Sequence, residues 1–171
     1  MKRILTVFLV LCFLLAATGC AGIGNQPESI LFYYPRTPEN YEYGTPDGVI
    51  SSETRDPAGY RNNLRYLLTL YLRGPVDEKL VSLIPEGSQI MELNRTESDV
   101  TMTFNSTFTS LQGLDLTLTC VCLARTCFAL TEVATVRIMA QSTDGSIVMD
   151  ETLTRQQLVT FDTPLPTEST T

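Results

Sequence analysis

The sequence predicts a small single-domain α+β fold, a mixed sheet with two helices packed on one face in the order β-β-α-β-β-α-β. Three stretches carry that expectation. Ile30-Leu31-Phe32-Tyr33-Tyr34 is a compact apolar and aromatic run stopped by Pro35, which reads as a first strand. Tyr60, Leu64, Leu67, Leu68 and Tyr71 recur at helical spacing and form one apolar face. Val100-Thr101-Met102-Thr103-Phe104 alternates with period two, which turns Val100, Met102 and Phe104 inward.

The remaining elements fall between these anchors. Thr37 to Gly48 holds Pro38, Gly44, Pro46 and Gly48 among acidic residues and reads as a loop. Its Tyr41 and Tyr43 are equally suited to an exposed contact pair or to folding back on the core. Val49 to Arg55 is a second strand. Asp56-Pro57 is a helix-start signal, a capping acid followed by proline at the first helical position. Arg61, Asn62, Arg65, Thr69 and Arg73 fill the polar side of that helix, and Gly74-Pro75 ends it. Val76 to Ser82 is a connection, Ile84-Pro85-Glu86-Gly87 a turn, and Gln89 to Leu93 a strand joined through a hairpin loop to the Val100 strand.

Leu114 to Leu130 fits two templates. Leu114, Leu116, Leu118, Cys120 and Cys122 alternate as in a strand, whereas Leu116, Cys120, Leu123, Cys127 and Leu130 make a helical face. Length decides for a helix, because so long a run without proline or internal glycine exceeds an ordinary strand. Val133 to Met139 is β-branched and strand-like. Thr143-Asp144-Gly145-Ser146 is a turn, and Ile147-Val148-Met149 a short returning strand. Residues 151–171 form a C-terminal extension, whose Pro/Thr-rich end from Pro164 is expected to be disordered.

A chain of 171 residues with 43% hydrophobic and 18% charged residues is of ordinary globular composition. Its net charge of −7 becomes −9 when Lys2 and Arg3 are set aside with the leader described below. Such a surface repels nucleic acid and anionic headgroups. The chain has no histidine, which removes Ser-His and Cys-His nucleophile activation and His-based zinc sites.

Residues 1–19 have the anatomy of an export signal. Lys2 and Arg3 give a positive start, Ile4 to Leu15 an apolar run too short to span a bilayer, and Ala16-Ala17-Thr18-Gly19 small residues before Cys20. This arrangement resembles the lipobox of bacterial lipoproteins, with Ala17 where that family usually has Leu. The resemblance implies cleavage before Cys20, a thioether-linked diacylglycerol on Cys20, and acyl chains that hold the domain on the membrane. Residues 20–29 then form the lipidated cysteine and a short linker.

With Cys12 removed and Cys20 acylated, Cys120, Cys122 and Cys127 remain, an odd number that cannot pair completely within one chain. On a helix Cys120 and Cys127 stand about 10 Å apart, beyond disulfide reach, and Cys120 and Cys122 point to different faces. They read as small buried thiols. No metal site and no cofactor is expected.

The domain over residues 30–150 resembles the GerMN domain of bacterial sporulation and spore-germination lipoproteins. The resemblance is carried by Leu31-Phe32-Tyr33-Tyr34, the strand ending at Arg55, Leu67-Leu68 leading to Leu72-Arg73-Gly74-Pro75, Leu83-Ile84-Pro85-Glu86-Gly87-Ser88, the Val100 to Phe104 strand with Ser106, and Val133 to Met139. The three cysteines of the second helix depart from the family pattern. The resemblance implies a non-enzymatic module of a Gram-positive, spore-forming type of bacterium. It would act in assembly of envelope complexes on the outer face of the cell membrane, with other envelope proteins or further copies of itself as partners. No catalytic residue carries over, and Gly74, Pro75, Pro85 and Gly87 are backbone punctuation. The sequons at Asn94-Arg95-Thr96 and Asn105-Ser106-Thr107 are chance matches in such a protein.

Two other functions compete. One is a cell-wall hydrolase built on paired carboxylates, for which Glu53, Asp56, Asp77, Glu78 and Glu86 supply acids near turns and strand ends. No pair of them stands in an apolar context that would raise a pKa. The other is a small-ligand binding lipoprotein, which the size of a single lobe disfavours.

Overall fold

The computed structural model describes residues 29–45 and 48–161, so the leader, Cys20 and the Pro/Thr-rich end lie outside the described residues. Strands β1 (Ile30–Pro35) and β2 (Ile50–Arg55) pair antiparallel. Helix α1 (Leu64–Tyr71) leads through a long connection to the β3 (Ile90–Arg95) and β4 (Asp99–Phe104) hairpin. Helix α2 (Gly113–Leu130) crosses back to β5 (Thr135–Gln141), which pairs parallel with β4. A final antiparallel strand β6 (Ile147–Thr154) runs directly into helix α3 (Arg155–Phe161).

The strands divide into two sheets, a two-stranded β1-β2 and a four-stranded β3-β4-β5-β6. The single sheet expected from the sequence is therefore split, and α2 supplies the reason. The Tyr33 N–H donates to Thr126 Oγ1 of α2 at 3.0 Å, so a helix takes the side of β1 where a further strand would pair. Further along, the connection after α1 closes the same side, with Val81 N–H donating to Pro35 O at 2.9 Å and Thr37 N–H to Lys79 O at 2.8 Å.

One apolar core joins the hairpin, the helices and one face of the large sheet. Val100, Met102 and Phe104 of β4 and Val136, Ile138 and Ala140 of β5 are all fully buried, as the alternation of the sequence requires. They meet Phe32, Tyr34, Leu67, Leu68, Tyr71, Leu123 and Cys127 in a single cluster. Phe108, on a 3-10 turn at Ser106–Ser110, stacks on Phe104 with ring centroids 4.1 Å apart. At roughly 25 cal/mol per Å² of apolar surface removed from water, this cluster is the main term holding the fold together.

Helix α1 starts later than its sequence signals indicate. Asp56 Oδ1 accepts from Ala58 N at 2.8 Å, a local turn that competes with helix initiation. Ala58 and Gly59 then take φ of 49° and 79°, outside helical space. The working cap is Asn63, whose Oδ1 accepts from Tyr66 N at 3.0 Å. Tyr60 consequently leaves the apolar stripe. It is half exposed and its ring lies 4.4 Å from that of Tyr66.

Leu114 to Leu130 is helical, in agreement with the argument from length. It is the described helix long and apolar enough to cross a membrane by composition, yet Cys122, Leu123, Ala124 and Cys127 are fully buried in the domain core. Its C-terminal carbonyls are closed by Arg155. That guanidinium donates to Phe128 O (3.0 Å), Thr131 O (2.8 Å) and Val133 O (3.1 Å) and lies 5.0 Å from the Phe128 ring centroid. Arg155 and the last residues of β6 belong to the expected extension after residue 150, so that boundary falls inside a strand.

Candidate interaction surface

The two faces of the four-stranded sheet have different fates. Every residue of this sheet in the core cluster or packed against it, Ile90, Leu93, Val100, Met102, Phe104, Val136, Ile138, Ala140, Met149 and Leu153, comes from one face. The registers place two rows on the other, Asn94-Thr101-Arg137-Thr152 and Glu92-Thr103-Met139-Asp150. None of these residues joins the core cluster, although Thr103 is itself buried.

This face is polar and ordered by its own contacts. Arg137 Nε donates to Asp150 Oδ1 at 2.8 Å and its Nη2 to Asp150 Oδ2, a bidentate pair across β5 and β6. The hydrogen bonds from Arg137 hold the Asp150 carboxyl below its ordinary range and raise Arg137 in turn. Asn94 Nδ2 donates to Glu92 Oε1 at 2.8 Å on β3. Threonines at positions 101, 135, 152 and 154 fill the remainder, a composition that tolerates water and offers hydrogen bonds to a partner, while Thr103 is buried.

The acids considered from the sequence each hold local structure or face solvent. Glu53 is nearly buried and fully engaged. Its Oε1 accepts from Arg55 Nε at 2.6 Å, and its Oε2 from Val76 N (2.9 Å) and Asp77 N (3.1 Å). Arg55 in turn donates to Gly74 O at 2.9 Å, so the pair clamps the Gly74-Pro75 turn onto β2. Asp56 holds its own turn, Asp77 Oδ1 accepts from Lys79 N at 2.9 Å, and Glu78 and Glu86 are exposed. A cavity of about 110 Å³ lies where β1 begins, lined by Ser29, Ile30, Leu31, Arg61, Ala129 and Leu130, with no carboxyl group among them. Among the described residues no group of His, Cys, Asp and Glu is arranged to hold a metal ion.

Cys120, Cys122 and Cys127 are free, buried thiols on α2. Burial pushes Cys127 up to about 12, and burial with the nearby Glu151 carboxylate does the same for Cys120. Burial also raises Cys122, against the Arg125 charge. They are poor nucleophiles in this state. Tyr41 and Tyr43 meet edge to face at 6.1 Å, and Tyr43 is 86% exposed. Cys20 lies outside the described residues.

Two residues with clear work carry no local signal of it. In the sequence Asn105 is part of a sequon. Its Oδ1 accepts from Gln89 N (3.1 Å) and its Nδ2 donates to Gly87 O (2.9 Å), which ties the Pro85-Glu86-Gly87 turn to the end of β4. Arg155 stood in a segment read as an extension, and no local pattern links it to the end of α2.

No family model, no curated protein and no solved structure matches the chain.

Proposed function

We propose that this chain is a lipid-anchored, non-enzymatic module for protein–protein assembly in the bacterial envelope, of the GerMN type, with a role in sporulation or germination. In this reading the thioether-linked lipid on Cys20 holds the domain on the outer face of the cell membrane. The domain then presents the polar face of its four-stranded sheet to other envelope proteins.

The observation that carries the reading is that uncovered face. A mixed sheet that buries its apolar side chains on one face leaves an ordered polar surface of fixed side-chain spacing on the other, suited to docking another protein. The engagement of Glu53 and the exposure of Glu78 and Glu86 give carboxylate hydrolysis no support.

The test has two arms. Replacing Cys20→Ala in the full-length protein is expected to release it from membranes, and continued tight retention would overturn the anchor. Capture of the anchored protein from sporulating cells is expected to bring down a defined envelope protein. Recovery of none above background would overturn the assembly role.

A further inference from the structure

The bases of this acidic chain are unevenly placed. Between Asp56 and Asp77 the sequence holds Arg61, Arg65 and Arg73 and no acid. At helical spacing Arg65, Thr69 and Arg73 follow one another along the side of α1 opposite the buried Leu64, Leu67, Leu68 and Tyr71. All three are exposed. The Arg65 guanidinium donates to the Ile90 carbonyl at 3.3 Å, a neutral partner that leaves its charge in place. The acids at the two ends of the stretch hold local turns, Asp56 accepting from Ala58 N and Asp77 from Lys79 N. Glu53, beside the Gly74-Pro75 turn, is ion-paired with Arg55.

Two tyrosines and the start of the domain lie at the same end. Tyr60 is half exposed, and its ring lies 4.4 Å from that of Tyr66 on α1. A tyrosine has an apolar body and a polar tip, which suits the boundary between lipid and water. Arg61, just before α1, lines the cavity at the start of β1 together with Ser29, the first described residue, and the exposed Leu31. From Cys20 to Ser29 the chain can reach at most about 30 Å. A lipid on Cys20 therefore keeps this end of the domain close to the bilayer.

We infer that the outward side of α1 rests on the membrane surface, with Arg65 and Arg73 among anionic phospholipid headgroups and the Tyr60–Tyr66 pair at the lipid–water boundary. The inference rests on the anchor proposed at Cys20 and adds the orientation in which the domain is held. With the leader set aside the net charge is −9, so anionic headgroups repel the acidic remainder of the domain. The basic side then fixes orientation, while the acyl chains supply affinity. An acidic protein would satisfy the same charges, but the tether brings the bilayer to this side and brings no protein. Helix α1 and the inward residues of the large sheet share one core, so the side on the membrane is not the sheet's outward face.

The test uses protein purified from membranes and reconstituted into vesicles. Thr69→Cys on α1 and Thr152→Cys on the outward face of the sheet each take a fluorescent thiol label, since Cys120, Cys122 and Cys127 are buried. Lipids spin-labelled on the headgroup quench a label that lies at the surface. In vesicles of mixed phosphatidylglycerol and phosphatidylcholine, position 69 is expected to be quenched more strongly than position 152. The difference is expected to be lost in phosphatidylcholine alone. It is also expected to be lost at about 1 M salt, where the Debye length is about 3 Å against about 10 Å at 0.1 M. Arg73→Glu is expected to reduce the difference, and Arg65→Glu with Arg73→Glu to abolish it. Arg95→Glu, at the end of β3, makes the same charge change as Arg73→Glu and is expected to leave it. Equal quenching at both positions, a difference indifferent to phosphatidylglycerol, or equal effects of Arg73→Glu and Arg95→Glu would overturn the inference. Photocrosslinking of an acidic protein from position 69 would overturn it as well. Protein that does not float with the vesicles lacks the anchor, and both readings fall; protein that floats with equal quenching loses the orientation alone.

Discussion

Tyr34 and Tyr71 lock strand β1 to helix α1 through a reciprocal pair. Their rings stack with centroids 4.6 Å apart and planes within 5°. Tyr34 Oη donates to the Tyr71 carbonyl at 2.8 Å, and Tyr71 Oη donates to the Tyr33 carbonyl at 3.0 Å. Each ring thus contributes apolar area and closes a main-chain acceptor on the other element. Tyr71→Phe keeps the ring and orphans the Tyr33 carbonyl, at an expected cost of about 1–2 kcal/mol in denaturant unfolding. Tyr71→Ala empties a fully buried site and is expected to cost about 3–5 kcal/mol.

The three thiols of α2 make stability fall at alkaline pH. Their folded values are raised by burial, so between the ordinary thiol value of 9.0 and about 12 the unfolded chain releases protons that the folded chain keeps. Stability from this source is full below the unfolded value and is lost as pH rises towards the folded one. Burial raises Tyr34 and Tyr71 in the same direction. Denaturant midpoints are therefore expected to decline steadily above about pH 9. A thiol reagent should modify Cys120, Cys122 and Cys127 only when the protein unfolds.

Arg155 is expected to matter more than a charge at the start of a short terminal helix suggests. Removing it by Arg155→Ala frees the Phe128, Thr131 and Val133 carbonyls at the end of α2 and uncovers the Phe128 ring. A cost of about 2–3 kcal/mol is expected from the lost charge-assisted bonds. Lysine lacks the planar fork and should recover only part of it. Thermal melts of the two variants side by side provide the check.

Glu53 is engaged in structure, whereas Glu78 faces solvent. Glu53→Ala leaves Arg55 and two main-chain N–H groups without their acceptor, and about 2–4 kcal/mol of stability should be lost. The exposed Glu78→Ala should stay within about 0.5 kcal/mol. Chemical unfolding of both proteins tests the contrast.

Where the sequence was legible, a local pattern coincided with a local cause. Val100, Met102 and Phe104 alternate because one face of β4 is buried, and that periodicity is visible without any partner. Gly74 takes φ +86° after α1, as a glycine at a helix end announces. Asp56-Pro57 misled because the same capping acid closes a turn at Ala58 before any helix can start. The split of the sheets was invisible because it depends on Tyr33 N–H meeting Thr126, which lies 93 residues away. The outward rows of the large sheet were not legible, since neither they nor the Arg137–Asp150 pair exists until β5 and β6 are in register.

The most direct test of the assembly role is position-specific crosslinking in living cells. A photoreactive side chain at Thr101 or Thr135 stands on the uncovered sheet face, and one at Thr69 or Thr117 stands on the exposed side of a helix. The account predicts adducts to an envelope protein from the two sheet positions and not from the helical ones. Adducts from the helical positions alone, or from none of the four, would contradict it.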